Sequence, residues 1–456
     1  MSAPPSLTTE AWSLQTPMAA ALPRILAGIP DHGAMDLDSH TAVHGPLPPD
    51  HKRRRRVESP LIGRIERARL GGRGGAGFPT ATKLRAVWSA RPPARGRAIV
   101  VVNAAEGEPA SLKDRTLCES LPHLVLDGGE LAAQAVGADE LIVCVCESAS
   151  ASIRAISAAI AERDRPGGAR ARVRVVAVPS HYVAGQESAL VNHLNGGPAK
   201  PTFTPPMIFE QGVRRRPTLV NNAETLAHIA LIARHGSDWF RQLGTPAQPG
   251  SALITLSGPV AHPGVYEIEH GASLSSLIEA AGGTTAGVRG ALLGGYAGSW
   301  IGKELMHGLA LSNEHLAAHG ASLGAGVVLL LSEDACPVAE TARVARWLAS
   351  ESTGQCGPCV NGLDALAHTV EEIASGMAAS RATQRIARLS SLVRRRGACG
   401  HPDGAVNFIL SAFETFAPDF QDHARHGRCE ACVSAELPLP VRMRDTAAAH
   451  ELARAS

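Results

Sequence analysis

Residues 98–109 read Ala98-Ile99-Val100-Val101-Val102-Asn103-Ala104-Ala105-Glu106-Gly107-Glu108-Pro109. The first five form an unbroken apolar run of strand length. A strand apolar on both faces belongs inside a sheet covered on both sides. The polar turn that follows carries Asn103, Glu106 and Glu108 past the carboxyl end of that strand, where open parallel α/β sheets bind ligands. The pattern repeats outward from here. Leu141–Val145 and Val173–Val178 are further continuous apolar runs, separated by helical stretches at Leu124–Val136 and Ala151–Arg163. Strands alternating with helices predict an α/β domain built on a parallel sheet.

Upstream, after a helix expected at Leu61–Leu70, lies Gly71-Gly72-Arg73-Gly74-Gly75-Ala76-Gly77-Phe78-Pro79-Thr80, with Lys83 shortly beyond. Glycines remove the Cβ atoms that keep a backbone off a ligand, so the N–H groups of such a loop can line a phosphate or lie flat against a ring. The loop precedes a strand instead of following one, unlike the ordinary dinucleotide fingerprint. Taken alone, it reads equally well as a flexible linker. Downstream come Tyr182-Val183-Ala184-Gly185-Gln186-Glu187, just past a strand, and Pro217-Thr218-Leu219-Val220-Asn221-Asn222-Ala223-Glu224-Thr225. Neither is informative by itself.

Composition narrows the classes. The 456 residues carry 44 Lys+Arg against 42 Asp+Glu, a net charge of +2, with 45% hydrophobic and 4% aromatic residues. That excludes global disorder and argues against a protein that grips nucleic-acid phosphates or stacks bases. No apolar run reaches membrane-helix length and no signal-peptide pattern opens the chain, so a cytoplasmic protein without direct membrane insertion is expected. Lysine is scarce: Lys52, Lys83, Lys113, Lys200 and Lys303 are all there are. Of nine cysteines, Cys118, Cys144 and Cys146 sit in apolar surroundings and read as buried, inert thiols, while Cys336, Cys356, Cys359, Cys399, Cys429 and Cys432 crowd the last third. In a reducing compartment such crowding points to metal or iron–sulfur ligation.

Five regions are expected: a loosely ordered Pro/Ala-rich arm with one or two short helices over 1–60, an α/β domain over 61–245, a small α+β domain over 250–333, a helical cysteine-bearing domain over 336–432, and a tail over 433–456. Lys52–Arg56 reads as a solvated basic stretch. The small domain follows from strands at Ala252–Ser257, Val265–Glu269 and Val327–Leu331 around a helix at Leu274–Ala281. The helical region follows from Val338–Ser350, Val360–Ser375, Ala382–Leu392 and Gly404–Phe416. Within it lie Glu351-Ser352-Thr353-Gly354-Gln355-Cys356-Gly357-Pro358-Cys359 and the later Gly397-Ala398-Cys399-Gly400-His401-Pro402. Both suit a cluster whose sulfurs accept backbone N–H bonds. Three cysteines are one short of the usual four. His401 reads as a solvated loop histidine.

In this order the motifs GRGGAGFPT, NxxEGEP, YxxGxE, VNNxET and GQCGPC resemble those of the NADH-binding flavoproteins (51 kDa, F-type) of respiratory complex I, a module shared with bacterial NAD-reducing hydrogenases and formate dehydrogenases. The resemblance spans roughly residues 60–420. It implies a Rossmann-like FMN domain, a β-grasp (SLBB-type) domain and a C-terminal helical iron–sulfur domain. It also implies an NADH dehydrogenase-like oxidoreductase that moves electrons from NAD(P)H through FMN to an iron–sulfur cluster and a one-electron acceptor. By the same resemblance, Gly72, Arg73, Gly74, Lys83, Asn103, Glu106, Tyr182, Gly185, Glu187, Asn221, Asn222 and Thr225 match the FMN positions. Phe78 and Glu108 match the nicotinamide-positioning, catalytic ones, and Cys356, Cys359 and Cys399 match cluster ligands. The implied partner is a ferredoxin or a thioredoxin-like 2Fe–2S protein.

This chain departs from the family pattern at Ala105 and Gln186, where carboxylates are lost. It departs again at Ala86, Thr204 and Met207, where aromatic or basic groups for NADH are lost, and Phe203 is the available substitute ring. Thr353 stands in place of the first cluster cysteine. Several outcomes stay open for the metal: a 4Fe–4S cluster with a non-cysteine fourth ligand, a 3Fe–4S cluster, completion of the site by Cys429 and Cys432, or structural zinc. Two alternatives for the whole chain stay open too: a degenerate adaptor protein with a zinc-stabilised C-terminal domain, or an FMN protein with a non-nicotinamide donor.

Overall fold

A computed structural model describes residues 22–48, 57–90, 97–163, 171–377, 381–433 and 435–440. The basic run at 52–56 lies outside the described residues. Residues 22–48, expected within a loosely ordered arm, instead pack on the body. Leu22, Ile25, Leu26 and Met35 are buried, and the backbone N–H groups of Arg24, Ile25 and Leu26 converge on the Glu267 carboxylate at 2.7, 2.8 and 3.2 Å. The short helix α1 (Leu37–His44) follows, opened by the Asp36 side chain accepting from the Ser39 N–H.

The α/β unit begins with α2 (Pro60–Ala68) and α3 (Thr80–Ser89), on either side of the glycine loop. Then come β1 (Ala98–Ala104), α4 (Lys113–Ser120), α5 (Pro122–Val136), β2 (Ala138–Cys146), α6 (Ser150–Arg163), β3 (Arg172–Val178), α7 (Glu187–Leu194), β4 (Thr218–Asn222), α8 (Ala223–His235) and the short α9 (Ser237–Phe240). All four strands run parallel, in the order β3-β2-β1-β4. Val100 and Val102 point into one apolar layer with α5 and α8, and Ile99 and Val101 into the other with Leu190 of α7. Both faces are thus covered, as unbroken apolar strands require. Cys118, Cys144 and Cys146 are buried in these layers as expected, and burial pushes the Cys144 thiol up to about 12.

Strand order reverses direction at β1: the chain steps one way to β2 and β3, then returns to β1's other edge as β4. This is the topological switch point, where a crevice opens at the strand carboxyl ends. Asn103 and Asn222 are register partners at its floor.

The second unit holds β5 (Ser251–Ser257), β6 (Gly264–Glu269), α10 (Leu274–Ala280), β7 (Val288–Leu293), β8 (Ser299–Gly302), the short helices α11 (Lys303–Met306) and α12 (Asn313–Ala317), and β9 (Val327–Ser332). Its mixed sheet has the order β6-β5-β9-β7-β8, with β5 and β9 parallel. The third unit is helical: α13 (Pro337–Ser350), an irregular turn leading into α14 (Asp364–Ala374), α15 (Ala382–Val393), α16 (His401–Thr415) and α17 (Ala417–His426). The fold is therefore the expected α/β, β-grasp and helical sequence. Among the described residues, no helix is long and apolar enough to cross a membrane.

Candidate functional site

The glycine loop is closed by two backbone links, Gly72 N–H to the Phe78 carbonyl at 2.9 Å and a bridge between Gly71 and Pro79. Between them Gly74–Pro79 is exposed. Gly75 and Gly77 adopt φ +103° and +64°, values that side-chain-bearing residues avoid. Arg73 anchors the loop rather than facing a ligand. Its N–H donates to Thr225 Oγ1 at 2.9 Å, while its buried guanidinium donates to the Ser251 carbonyl at 2.9 Å and lies 3.7 Å from Glu224.

Opposite the loop, the segments leaving β1 and β3 meet backbone to backbone. Asn103 Nδ2 donates to the Gly185 carbonyl at 2.7 Å. A Cβ on Gly185 would sit 2.5 Å from the Ala105 carbonyl oxygen, so only glycine permits this crossing. Gln186 caps α7, its side-chain oxygen accepting from the N–H groups of Ser188 and Ala189. Beside that cap, Lys83 Nζ pairs with Glu187 at 2.9 Å, both groups partly exposed. Glu106 accepts from the N–H groups of Asp114 and Arg115, both at 3.1 Å, and from the Ser111 hydroxyl, and so closes the start of α4. Asn221 is buried with Nδ2 lacking any partner, an orphan donor at the crevice floor. Asn222 donates to Asp114 at 2.6 Å and caps α8.

A buried ionic group lies beneath. Lys113 Nζ is 2.9 Å from Asp114 and 3.1 Å from Glu224. Burial penalises the charge on all three. Against that cost, the cations Lys113 and Arg73 and a bond from His228 bring Glu224 down to about 2, whereas burial keeps Asp114 up at about 6 despite Lys113. A cavity of about 540 Å³ opens between the loop and the β-grasp unit, lined in part by Gly72, Arg73, Lys113, Glu224 and His270. Of the sequence-predicted flavin positions, only Gly72 and Arg73 line it. Lys83, Asn103, Tyr182, Glu187 and Asn221 are not among its lining residues.

Glu108 is buried. Its carboxylate accepts from the Tyr296 N–H at 2.9 Å, the Ala110 N–H at 3.3 Å and the Tyr182 hydroxyl at 3.4 Å. Burial lifts it to about 7 against those bonds. Tyr182 faces two ways. Besides Glu108, its ring meets Trp347 edge-on at 5.2 Å and His401 at 5.5 Å. His401 is buried, with Nε2 2.9 Å from the Leu348 carbonyl, and is no solvated loop residue. Phe78 is half exposed and Phe203 almost fully so.

Cys356, Cys359 and Cys399 are neighbours. The N–H groups of Ala398 and Cys359 bond the Cys356 sulfur, that of His401 bonds Cys399, and Ser352 meets Cys359. Three sulfurs, two of them with backbone donors, suit an iron–sulfur cluster. Thr353 is buried in the same loop, its carbonyl accepting from Lys200 Nζ at 2.7 Å. Cys429 and Cys432 do not complete this set. They lie with Cys336 and His423 at the far end of α13, a helix whose 14 residues span about 21 Å.

Comparison with known proteins places this arrangement. Three family signatures match the chain in order: the Nuo51 FMN-binding domain over residues 65–231, the SLBB domain over 253–294, and the NADH-ubiquinone oxidoreductase-F iron-sulfur binding region over 339–423. The second F-type chain of NADH-quinone oxidoreductase from Rhizobium meliloti is 33% identical over 382 residues, covering 81% of this chain and 90% of that protein. This chain belongs to the 51 kDa flavoprotein family of NADH-quinone oxidoreductases. The HndC chain of the NADP-reducing hydrogenase from Solidesulfovibrio fructosivorans is 29% identical over 389 residues, 83% of this chain and 78% of that one. A crystal structure of an NAD+-reducing NiFe-hydrogenase in the H2-reduced state superposes with a TM-score of 0.72 at 32% identity, covering 86% of this chain and 66% of that one. The chain therefore spans about two thirds of that hydrogenase chain.

Two residues of this 51 kDa-type flavoprotein stand out that no motif in its sequence marks. Tyr296 reaches Glu108 from the β-grasp unit, and nothing local in the sequence signals so long-range a contact. Lys113 forms the buried ionic group, and lysine scarcity is the one available signal. The family's glutamate replaced by Gln186 is no loss to the helix, since an amide oxygen caps as a carboxylate does.

Proposed function

We propose that this flavoprotein oxidises NADH with FMN and passes electrons singly to an iron–sulfur cluster, then to a small iron–sulfur protein in the cytoplasm. FMN would supply the exchange between a two-electron hydride and single electrons. The loop at Gly72, Arg73 and Gly74 would hold the flavin, with Gly74 exposed and Arg73 anchoring the loop from behind, and with Lys83, Asn103, Glu106, Tyr182, Gly185, Glu187, Asn221, Asn222 and Thr225 around it. The fit rests on one chain group, the buried Asn221 amide, whose Nδ2 has no partner within the protein. Glu108 and Phe78 would position the nicotinamide, and Glu108 can hold a proton near neutrality because burial lifts it to about 7.

One observation carries this reading. The Tyr182 ring lies 5.5 Å from the His401 ring, two residues from Cys399, which brings the segment after β3 against the cluster loop. Past that contact the surface is basic and apolar. Arg394, Arg395 and Arg396 are exposed beside Leu392, and Val360 is exposed next to Cys359. Such a patch suits an acidic ferredoxin or thioredoxin-like 2Fe–2S protein.

The test is the absorption spectrum of anaerobically purified protein before and after NADH. A flavin band that NADH bleaches supports the reading. Protein that neither contains nor takes up FMN overturns it, and bound flavin left oxidised by NADH assigns the input to another donor, such as reduced ferredoxin.

A further inference from the structure

Four ligand atoms converge where three elements meet, well away from the crevice. Cys336 is the N-cap of α13, His423 lies in the last turn of α17, Cys429 immediately precedes a 3-10 turn at Glu430–Val433, and Cys432 lies within that turn. Cys432 Sγ lies 3.5 Å from Cys429 Sγ and 3.5 Å from Cys336 Sγ. His423 Nε2 lies 3.4 Å from Cys336 Sγ and 3.8 Å from Cys432 Sγ. All four donors fall within 4.8 Å of one another, and no other such group occurs among the described residues.

Metal geometry gives these distances meaning. Zinc–sulfur bonds of about 2.3 Å and zinc–nitrogen bonds of about 2.0–2.1 Å at tetrahedral angles put sulfurs about 3.8 Å apart and sulfur and nitrogen about 3.6 Å apart. The observed separations match within a few tenths of an ångström. A disulfide would bring one pair to about 2.05 Å, and all the cysteines are free. A cubane would spread its thiolates over separate irons, farther apart than this. We propose that Cys336, His423, Cys429 and Cys432 bind one Zn2+ in a closed, structural, tetrahedral site distinct from the iron–sulfur ligands.

Cys336 accepts from the Ala339 N–H at 3.3 Å, at the positive end of a four-turn helix. Cys336 and His423 are buried, and with four protein donors the site has no open position for catalysis. Its effect would be to staple the chain beyond α17. From Cys432 the backbone runs to Glu436, whose N–H donates to Glu340 at 2.8 Å, to the fully buried Leu437, and to Pro438, whose carbonyl accepts from the Tyr296 hydroxyl at 2.6 Å. Zinc and an iron–sulfur cluster thereby coexist in one chain instead of being rival readings of the same cysteines.

The experiment measures zinc and iron in full-length, anaerobically purified protein, together with X-ray absorption at the zinc edge. One zinc per chain is expected, with three sulfurs at about 2.3 Å and one nitrogen at about 2.0–2.1 Å. The Cys429→Ser/Cys432→Ser double variant should lose the zinc and keep its iron, and Cys356→Ser should do the reverse. Wild-type protein that stays free of zinc after supplementation overturns the proposal. So does zinc that vanishes in Cys356→Ser but survives in the double variant, or iron lost from the double variant alone. If the double variant fails to fold, the absorption spectrum of the wild type still decides.

Discussion

Tyr296, from the β-grasp unit, donates its backbone N–H to Glu108 at 2.9 Å, so the second unit finishes a site that the first begins. The same carboxylate is lifted from an ordinary 4.5 to about 7, chiefly by burial. The native chain therefore keeps a proton that the unfolded chain releases between those values. Stability from this group is greatest below about pH 4.5 and falls as pH rises toward 7. The window amounts to about 3 kcal/mol. Glu108→Gln should reduce the difference in unfolding free energy between pH 5 and pH 8 by about that amount, read from denaturant titrations. An unchanged pH dependence would refute the assignment.

Lys113 neutralises two buried carboxylates, Asp114 and Glu224. Lys113→Met leaves Asp114 without its cation and Glu224 with Arg73 alone, a loss of about 3 kcal/mol of stability. Adding Asp114→Asn to that variant should recover part of the loss in thermal melts. If the double variant is no better than the single, the ionic account fails.

Gly185→Ala drives a methyl group against the Ala105 carbonyl. The two crevice segments must separate, and FMN affinity should drop tenfold or more, about 1.4 kcal/mol. Fluorescence titration of the apoprotein with FMN reads it. Affinity equal to wild type would show that the crossing does not shape the flavin site.

Thr353→Cys supplies the missing sulfur within the cluster loop. Iron per chain should rise to a full cubane complement, with the matching paramagnetic signal after reduction. If iron content stays at the wild-type level, the fourth position is filled by some other group.

Met207 is exposed where the family carries a ring. Met207→Phe should lower KM for NADH several-fold, since one stacking contact contributes about 1 kcal/mol. A KM that does not move places the nicotinamide elsewhere.

Sequence is most readable where burial imposes a period. The apolar runs at 98–102, 141–145 and 173–178 lie within β1, β2 and β3, which extend beyond them by up to three residues at an end. Thr218–Asn222 does not read as a strand because it is five residues long and ends in two amides, so ligand chemistry masks its pairing with β1. Val288–Leu293 and Ser299–Gly302 escape as well, their patterns broken by Gly290 and the glycines at 294, 295 and 298. Side-chain direction is beyond reach: Arg73 sits in a ligand-like loop yet turns its guanidinium into the domain junction. The cysteine and histidine group is hidden by distance along the chain, 87 residues between Cys336 and His423. Only the orphan Cys429-x-x-Cys432 hints at it.

Arg73 grips the hydroxyl of Thr225 with its main chain and the carbonyl of Ser251, the first residue of β5, with its side chain. One residue is thus rivet for both the loop and the joint between two units. Whatever settles on the loop stiffens that joint, and amide exchange along β5 would register its arrival from the far side of the seam.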